Sequence, residues 1–326
     1  MRVLVTGVAG FIGYHVAKRL LCEGHIVSGL DNLSSYYDVE LKKARLGDLN
    51  RAFGFSPAIC NIADADALDR VFQNAEAEVI IHLAAQAGVR YSLTHPDTYV
   101  SSNLVGFANL LESCRNHPPR HLLYASSSSV YGNGDTLPSR ETARADTPLS
   151  LYAATKRANE AMAYSYAHLF GVPATGLRFF TVYGEWGRPD MAFFSFADAI
   201  LSNRPITVYN GGLMARDFTY VGDAVEAVVR LINVIPASAG GSAPHRIVNV
   251  ASGRRVPLLD FIAALEHALG RKADKQYQSM HAADVTETWA DTSLLTELTG
   301  FEPQAKLETG VARFADWFKS WHDRPC

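Results

Sequence analysis

The first 13 residues, MRVLVTGVAGFIG, constrain this chain more than any other segment. A short apolar run (Val3, Leu4, Val5) leads into a turn with glycine at Gly7, Gly10 and Gly13. A helical pattern of apolar residues, Val16, Ala17, Leu20 and Leu21, begins at once. Strand, glycine turn and helix in immediate succession open a βαβ unit, with backbone amides and the positive end of the helix dipole gathered at the strand's carboxyl edge. A dinucleotide pyrophosphate can reach those groups only where no side chain intervenes, which is what glycine provides. The spacing is GxxGxxG rather than GxGxxG, and a tight strand–helix turn would use the same glycines for packing. The following strand pattern, HIVSGLD, adds weight because it ends in Asp31, 18 residues after Gly13. An acid near that distance grips the adenosine ribose hydroxyls. No Arg or Lys adjoins Asp31 in the sequence to receive a 2′-phosphate, so NAD is predicted rather than NADP.

Apolar strand-like runs recur with helical stretches between them: VLVTG, HIVSGLD, EVIIHLAA at 78–85, HLLYASS at 121–127 and ATGLRFF at 174–180. Near-continuous hydrophobicity in such runs is the mark of a parallel sheet covered on both faces. The prediction is an α/β chain with a Rossmann-type doubly wound sheet. After Tyr183 the character changes to a polar, turn-rich stretch containing Glu185, Gly187, Arg188, Pro189 and Asp190. A helix over Phe194–Ser202, a strand over Ile206–Tyr209 and an Asn210-Gly211-Gly212 turn should follow. A helix from about Gly222 to Ile235 and a strand, RIVNVAS at 246–252, look like returns to the main sheet. This gives a dinucleotide-binding domain of residues 1–181, with returns at about 218–252 and 288–302. A smaller, discontinuous lobe takes about 182–217, 253–287 and 303–326.

Composition narrows the partners. A net charge of −3 offers no electrostatic reason to expect nucleic acid or an anionic membrane surface. Cys22, Cys60, Cys114 and Cys326 are scattered without a CxxC pair, so neither a disulfide framework nor a metal site is indicated. No apolar run approaches the roughly 20 residues of a membrane span, and glycines interrupt any signal-like start, so cytoplasm is predicted. Two helices, about Pro96 to Cys114 and Leu151 to Phe170, carry apolar or small residues on more than one face. They are predicted to pack a homodimer, although burial within one large subunit would look the same.

The chemistry-bearing pattern is Tyr152-Ala-Ala-Thr-Lys156, which opens the second of those helices. Four residues apart on a helix, Tyr and Lys share a face, and a neighbouring ammonium lowers a phenol pKa. Such a pair alone is common. Upstream, however, the fourth strand ends in Ser126-Ser127-Ser128-Ser129, at the sheet edge that places ligand-binding groups. Glycine turn, strand-end serines and Tyr-xxx-Lys in this order form a far more specific combination.

With these residues the chain resembles the extended short-chain dehydrogenase/reductase family over nearly its whole length. Within it, the chain looks most like the UDP-glucuronate 4-epimerase branch of NAD-dependent epimerases. The matching stretches are TGVAGFIG, DNLSSYYD at 31–38, HLAAQAGVRYSL at 82–93, SSSSVYG at 126–132, YAATK at 152–156, RFFTVYGEWGRPDMA at 178–192, RDFTYV at 216–221 and DVTETWADT at 284–292. The resemblance implies that Tyr152 is the acid/base, that Lys156 lowers its pKa and holds the nicotinamide ribose, and that Ser127 hydrogen-bonds the reacting oxygen. It implies a bound NAD against Gly7, Gly10, Phe11, Ile12, Gly13, Asp31 and Asn32. Further cofactor contacts are implied for Asn61, Ile62, Leu83, Ala84, Ala85, Asn103 and Phe179. A UDP-sugar is implied over the nicotinamide, touched by Arg90, Arg188, Met191, Val208, Arg216 and Asp284, with Arg216 meeting the diphosphate.

Relatives that dehydrate or decarboxylate the sugar carry an Asp-Glu pair or a glutamate just after the catalytic Ser/Thr. Here those positions are Ser128 and Ser129. Thr181 stands where UDP-galactose-type epimerases carry asparagine. Ser127, Ser128, Ser129 and Thr181 together offer four hydroxyls suited to a sugar carboxylate. The implied reaction is reversible C4 epimerisation of UDP-glucuronate to UDP-galacturonate through a 4-keto sugar. A UDP-glucose/galactose or N-acetylated uronate epimerase, a UDP-glucuronate decarboxylase and a non-catalytic NAD-binding regulator remain alternatives. Two positions depart from the family pattern: Asn61 replaces the usual aspartate against the adenine, and Ala283 replaces a glycine before Asp284.

Overall fold

A computed structural model describes residues 1–134, 136–238, 240–280 and 284–324 of the chain. β1 (Arg2–Thr6) runs into the glycine turn and then the helix α1 (Phe11–Cys22), as the opening segment predicts. β2 (Ile26–Asp31), β3 (Ala58–Ile59), β4 (Val79–His82), β5 (His121–Ser127) and β6 (Ala174–Phe179) follow, and His245–Val250 returns to the far edge. These seven strands form one sheet in the order His245–Val250, β6, β5, β4, β1, β2, β3, and every pairing is parallel. From β1 the chain winds outward through β2 and β3, then crosses to β4 on the other side. The β1–β4 boundary is therefore a topological switch point, where the carboxyl ends of the strands open a crevice.

The strand runs are apolar throughout because both faces are covered. Val3 and Val5 of β1, Ile81 of β4 and Leu123 of β5 join one buried cluster, with Tyr14, Val16 and Leu20 of α1. Leu4, Ile80 and Leu122 alternate to the opposite face, where they meet Leu68, Phe72, Phe107 and Leu110. The first cluster continues into the C-terminal part of the chain. There the helices Ala192–Leu201, Leu258–Leu269 and Leu307–His322 interlock through Phe193, Phe194, Phe261, Phe314 and Phe318. Short strand pairs, Thr181–Tyr183 with Phe218–Tyr220 and Ile206–Tyr209 with Lys275–Gln278, frame this region.

The predicted continuous helix from Pro96 to Cys114 is instead three segments: an α-turn at Pro96–Tyr99, a π-helical stretch at Val100–Val105 and an α-helix at Gly106–Asn116. The wider π turn brings Asn103 against the chain after β4. Its Oδ1 accepts from the Gln86 N–H at 2.8 Å, and its Nδ2 donates to the Gln86 carbonyl at 3.0 Å and to Thr155 Oγ1 at 3.1 Å. Apolar periodicity does not distinguish a π turn from an α turn. No helix among the described residues is long and apolar enough to cross a membrane.

Candidate active site

One large cavity, of about 1320 Å³, runs along the carboxyl edge of the sheet and under the C-terminal region. Ligand pockets ordinarily measure about 300–1,000 Å³, so this one has room for more than a single small ligand. The residues predicted to meet a cofactor line it, with the exception of Asn103. Asn103 is 2% exposed, and its amide is spent on the Gln86 backbone and Thr155. Those predicted to meet a sugar nucleotide also line it, with the exception of Val208. Val208 is fully buried in the apolar core; strand alternation turns its neighbours Thr207 and Tyr209 to the cavity instead.

At the cofactor end, Gly7 has φ +73°, and a Cβ there would sit 2.7 Å from the Ala84 amide nitrogen. A Cβ on Gly13 would strike the Gly7 carbonyl. The glycines thus serve the turn's own backbone first, and the open approach to the helix follows from it. No side chain caps the N-terminus of α1 at Gly10, which leaves its first-turn amides and dipole to an anion. Asp31 accepts from the Ala9 N–H at 3.0 Å through one oxygen and from the Leu33 N–H at 2.8 Å through the other. It therefore tethers the glycine turn, a role its sequence position did not reveal. The helix Val39–Phe53 also returns Lys42 to the neighbourhood of Asp31. That ammonium is already engaged by the Ser34 carbonyl at 2.5 Å and the Tyr37 ring face at 4.4 Å. Uncapped helix start, glycine turn, strand-end acid and adjoining Asn61 and Ile62 fit a dinucleotide such as NAD.

At the centre, Ser127 ends β5, and Tyr152 and Lys156 lie one turn apart on the helix Leu151–Phe170. Ser150 caps that helix, its hydroxyl accepting from the Ala153 N–H at 3.1 Å, so Tyr152 is held in the first turn. Burial raises the Tyr152 phenol above its ordinary value, while Arg188 and the Ser127 hydroxyl pull it back down. The Lys156 ammonium donates to the Ala125 carbonyl at 2.9 Å, and burial pushes its own pKa down to about 8. Sequence spacing puts both side chains on one face, but it does not decide which acceptor the lysine finds. Ser129 donates to Ser127 Oγ at 2.9 Å. Phe179, the last residue of β6, pairs with Ser127 across the sheet, and Thr181, two residues on, lines the same cavity as the serines.

Three arginines also line the cavity. Arg188 pairs with Asp190 at 2.6 Å, and Asp190 also accepts from the Tyr36 hydroxyl at 3.0 Å. Arg90 pairs with Asp284 at 2.7 Å and lies over the Tyr209 ring at 4.2 Å. Arg216 donates to neutral carbonyls only, Ala215 at 2.9 Å, Thr286 at 3.0 Å and Val285 at 2.7 Å. Met191 lines the wall nearby. Sequence reasoning missed Tyr36, Asp190 and Tyr209, which carry no motif of their own; the matched stretches DNLSSYYD and GRPDMA were the available signal for the first two. Ala283 lies outside the described residues.

Comparison with known proteins agrees with this geometry. Residues 3–251 match the model of the "NAD dependent epimerase/dehydratase family". The chain is 51% identical over 330 residues to a probable UDP-glucuronate 4-epimerase of Rhizobium meliloti, covering 98% of this chain and 97% of the relative. It is similar to the crystal structure of a UDP-glucuronic acid 4-epimerase from Bacillus cereus in complex with UDP-glucuronic acid and NAD. The TM-score is 0.90 at 31% identity, covering 98% of this chain and 100% of that one. A Thermus thermophilus UDP-glucose 4-epimerase complexed with NAD matches with a TM-score of 0.86 at 28% identity, covering 98% and 99%. Fold, cavity and these likenesses converge: the chain belongs to the NAD-dependent epimerase/dehydratase family.

Proposed function

We propose that this protein inverts C4 of UDP-glucuronate, giving UDP-galacturonate reversibly. The observation that carries the reading is the set of hydroxyls lining the cavity, Ser127, Ser128, Ser129 and Thr181, with no carboxylate among those four positions and with Arg188 lining the same cavity. Hydroxyls and a guanidinium suit a sugar that itself bears a carboxylate. In the forward direction Tyr152 accepts the O4 proton while Ser127 holds that oxygen. Bound NAD supplies a hydride acceptor and donor for C4. The hydroxyl cluster and Arg188 keep the 4-keto sugar in the cavity while its opposite face turns toward the nicotinamide. Tyr152 then returns the proton to O4. The phenol must give up its proton against its own burial; Arg188 and the Ser127 hydroxyl favour the phenolate. Lys156 is placed to hold the ribose on the nicotinamide side.

We further assign residues 1–181, with the returns named above, to cofactor binding and the remaining segments to the sugar nucleotide. Val100, Val105, Tyr164, Leu169 and Phe170 are exposed on the two helical segments of the sheet's outer face, which supports pairing of two copies through them. A cytoplasmic location completes the reading.

The test is incubation of purified protein with UDP-glucuronate, UDP-glucose and UDP-N-acetylglucosamine, without added NAD, followed by NMR. The expected result is UDP-galacturonate from the first and little turnover of the others. Preferential turnover of UDP-glucose overturns the substrate assignment, and release of CO₂ as the main outcome overturns the reaction.

A further inference from the structure

Arg45, on the helix Val39–Phe53, is 0% exposed yet hydrogen-bonds to no carboxylate. A guanidinium carries five N–H donors in a rigid fork, and here all five are engaged. Nη1 donates to the Ala9 carbonyl at 2.7 Å and to the Tyr37 hydroxyl at 2.7 Å. Nε donates to the Trp186 carbonyl at 3.2 Å, and Nη2 donates to the same carbonyl at 2.6 Å and to that of Gly187 at 3.1 Å. Burying a cation against neutral acceptors alone is costly, and an apolar side chain would fill the volume without that cost. What the guanidinium adds is its geometry.

The two segments it joins are far apart in sequence and carry different parts of the site. Ala9 sits in the glycine turn, and its N–H is held by Asp31. Trp186 and Gly187 immediately precede Arg188, the cation that acts on Tyr152. Trp186 has φ +59°, a left-handed conformation that is unfavourable for a non-glycine residue and persists only where its surroundings enforce it. The doubly hydrogen-bonded Trp186 carbonyl is such an enforcement. Asp31, Ala9, Arg45 and Trp186 thus form one hydrogen-bonded chain from the cofactor cradle to the residue two before Arg188.

We propose that Arg45 is a positioning residue that couples the dinucleotide cradle to the Trp186–Arg188 segment, so that seating NAD fixes Arg188 beside Tyr152. Arg45 does not line the cavity and touches neither ligand; it acts through Ala9 and the Trp186 carbonyl. The inference rests on the functional reading only in taking the cradle as the NAD site and Arg188 as a sugar-facing group.

The test labels the protein with 5-fluorotryptophan, assigns Trp186 by Trp186→Phe, and compares NAD-stripped with NAD-saturated protein by fluorine NMR. In the unaltered chain, NAD should move the Trp186 resonance and leave that of Trp289 in place. In Arg45→Met, NAD binding followed by calorimetry should weaken about tenfold, within the ordinary range of coupling between sites, and the Trp186 resonance should no longer respond. Arg45→Lys keeps the charge with fewer, unforked donors and should show a reduced response; it decides the matter if the methionine variant does not fold or does not bind NAD. A Trp186 signal indifferent to NAD in the unaltered chain overturns the proposal, as does a full response in the variant. No sugar nucleotide is present, so failure of the epimerisation assay leaves this result standing on its own.

Discussion

Glu160 grips Arg178 at both ends of its fork, at 2.8 Å and 2.9 Å, with both side chains 3% exposed or less. Glu160 lies one turn beyond Lys156 on the helix that carries Tyr152, and Arg178 is on β6. Glu160 also accepts from the Ser126 hydroxyl at 2.7 Å, next to Ser127. A buried carboxylate therefore pins the helix that carries Tyr152 to β5 and β6. Removing one partner of such a pair leaves an uncompensated buried charge, which costs about 3–5 kcal/mol. Glu160→Gln should lower stability by that order in urea unfolding. A change below about 1 kcal/mol would mean that the pair contributes little to the clamp.

Tyr152→Phe should remove nearly all turnover and leave NAD bound. The phenol is the proposed proton acceptor on O4, and loss of acid/base help costs about 10² to 10⁴ in rate. Retention of more than about a tenth of the kcat would reject the assignment.

Asp31 should favour NAD over NADP, because a 2′-phosphate would meet a carboxylate whose neighbouring lysine, Lys42, is already committed to Ser34 and Tyr37. Nucleotide released from denatured protein should be NAD. Asp31→Ser should narrow the preference, since it removes the repulsion and frees Lys42 from its acidic neighbour. It should also loosen the glycine turn by releasing the Ala9 N–H. A preparation carrying mostly NADP would contradict the prediction.

Oxidation at C4 of a uronate makes a β-keto acid, which loses CO₂ readily when its carboxylate is poorly held. Hydrogen bonds to a charged group contribute roughly 1.5–3 kcal/mol each, enough to bias the carboxylate away from that path. Thr181→Ala, and Ser129→Glu, should raise the share of turnovers ending in a UDP-pentose while slowing epimerisation. Product partitioning by mass spectrometry reads this directly, and variants that lose turnover with no added CO₂ would refute the hydroxyl cradle.

Two fully buried histidines set an acid limit on stability. Burial lowers His82 from 6.5 to about 3, with the Lys156 charge adding to the effect, and burial lowers His121 to about 4. Both stay neutral in the folded chain at pH values where the unfolded chain binds their protons. Stability should therefore be unaffected by these groups above about pH 6.5 and fall as pH drops from there toward 4, each contributing up to about 1.4 kcal/mol per pH unit. Urea midpoints at about pH 7.5 and about pH 5 check it: the midpoint should be lower at the acid end, and His121→Asn should flatten the slope. Equal midpoints would show that these imidazoles are hydrated in the folded chain.

The sequence by itself determined the architecture and most of the site. Apolar runs that alternate with amphipathic helices fit strands buried on both faces of a parallel sheet. Val3 and Val5 go one way and Leu4 the other, and no antiparallel, half-solvated arrangement accommodates that. The glycine turn, Asp31, Ser127, Tyr152 and Lys156 were legible because each sits at a strand end or helix start whose position local pattern fixes. What only the tertiary structure decided was how side chains from distant segments share partners. Asn103 faces Gln86 because a π turn rotates it there, and Val208 faces the core because of its strand's register. Lys156 reaches the Ala125 carbonyl, and Lys42 comes back to Asp31 on a helix. Arg45, which looks like one more charged residue on an amphipathic helix, is buried at the crossing of the glycine turn and the Trp186 segment. Periodicity records which face of an element is apolar, whereas hydrogen bonding between elements 141 residues apart depends on packing that no local window contains.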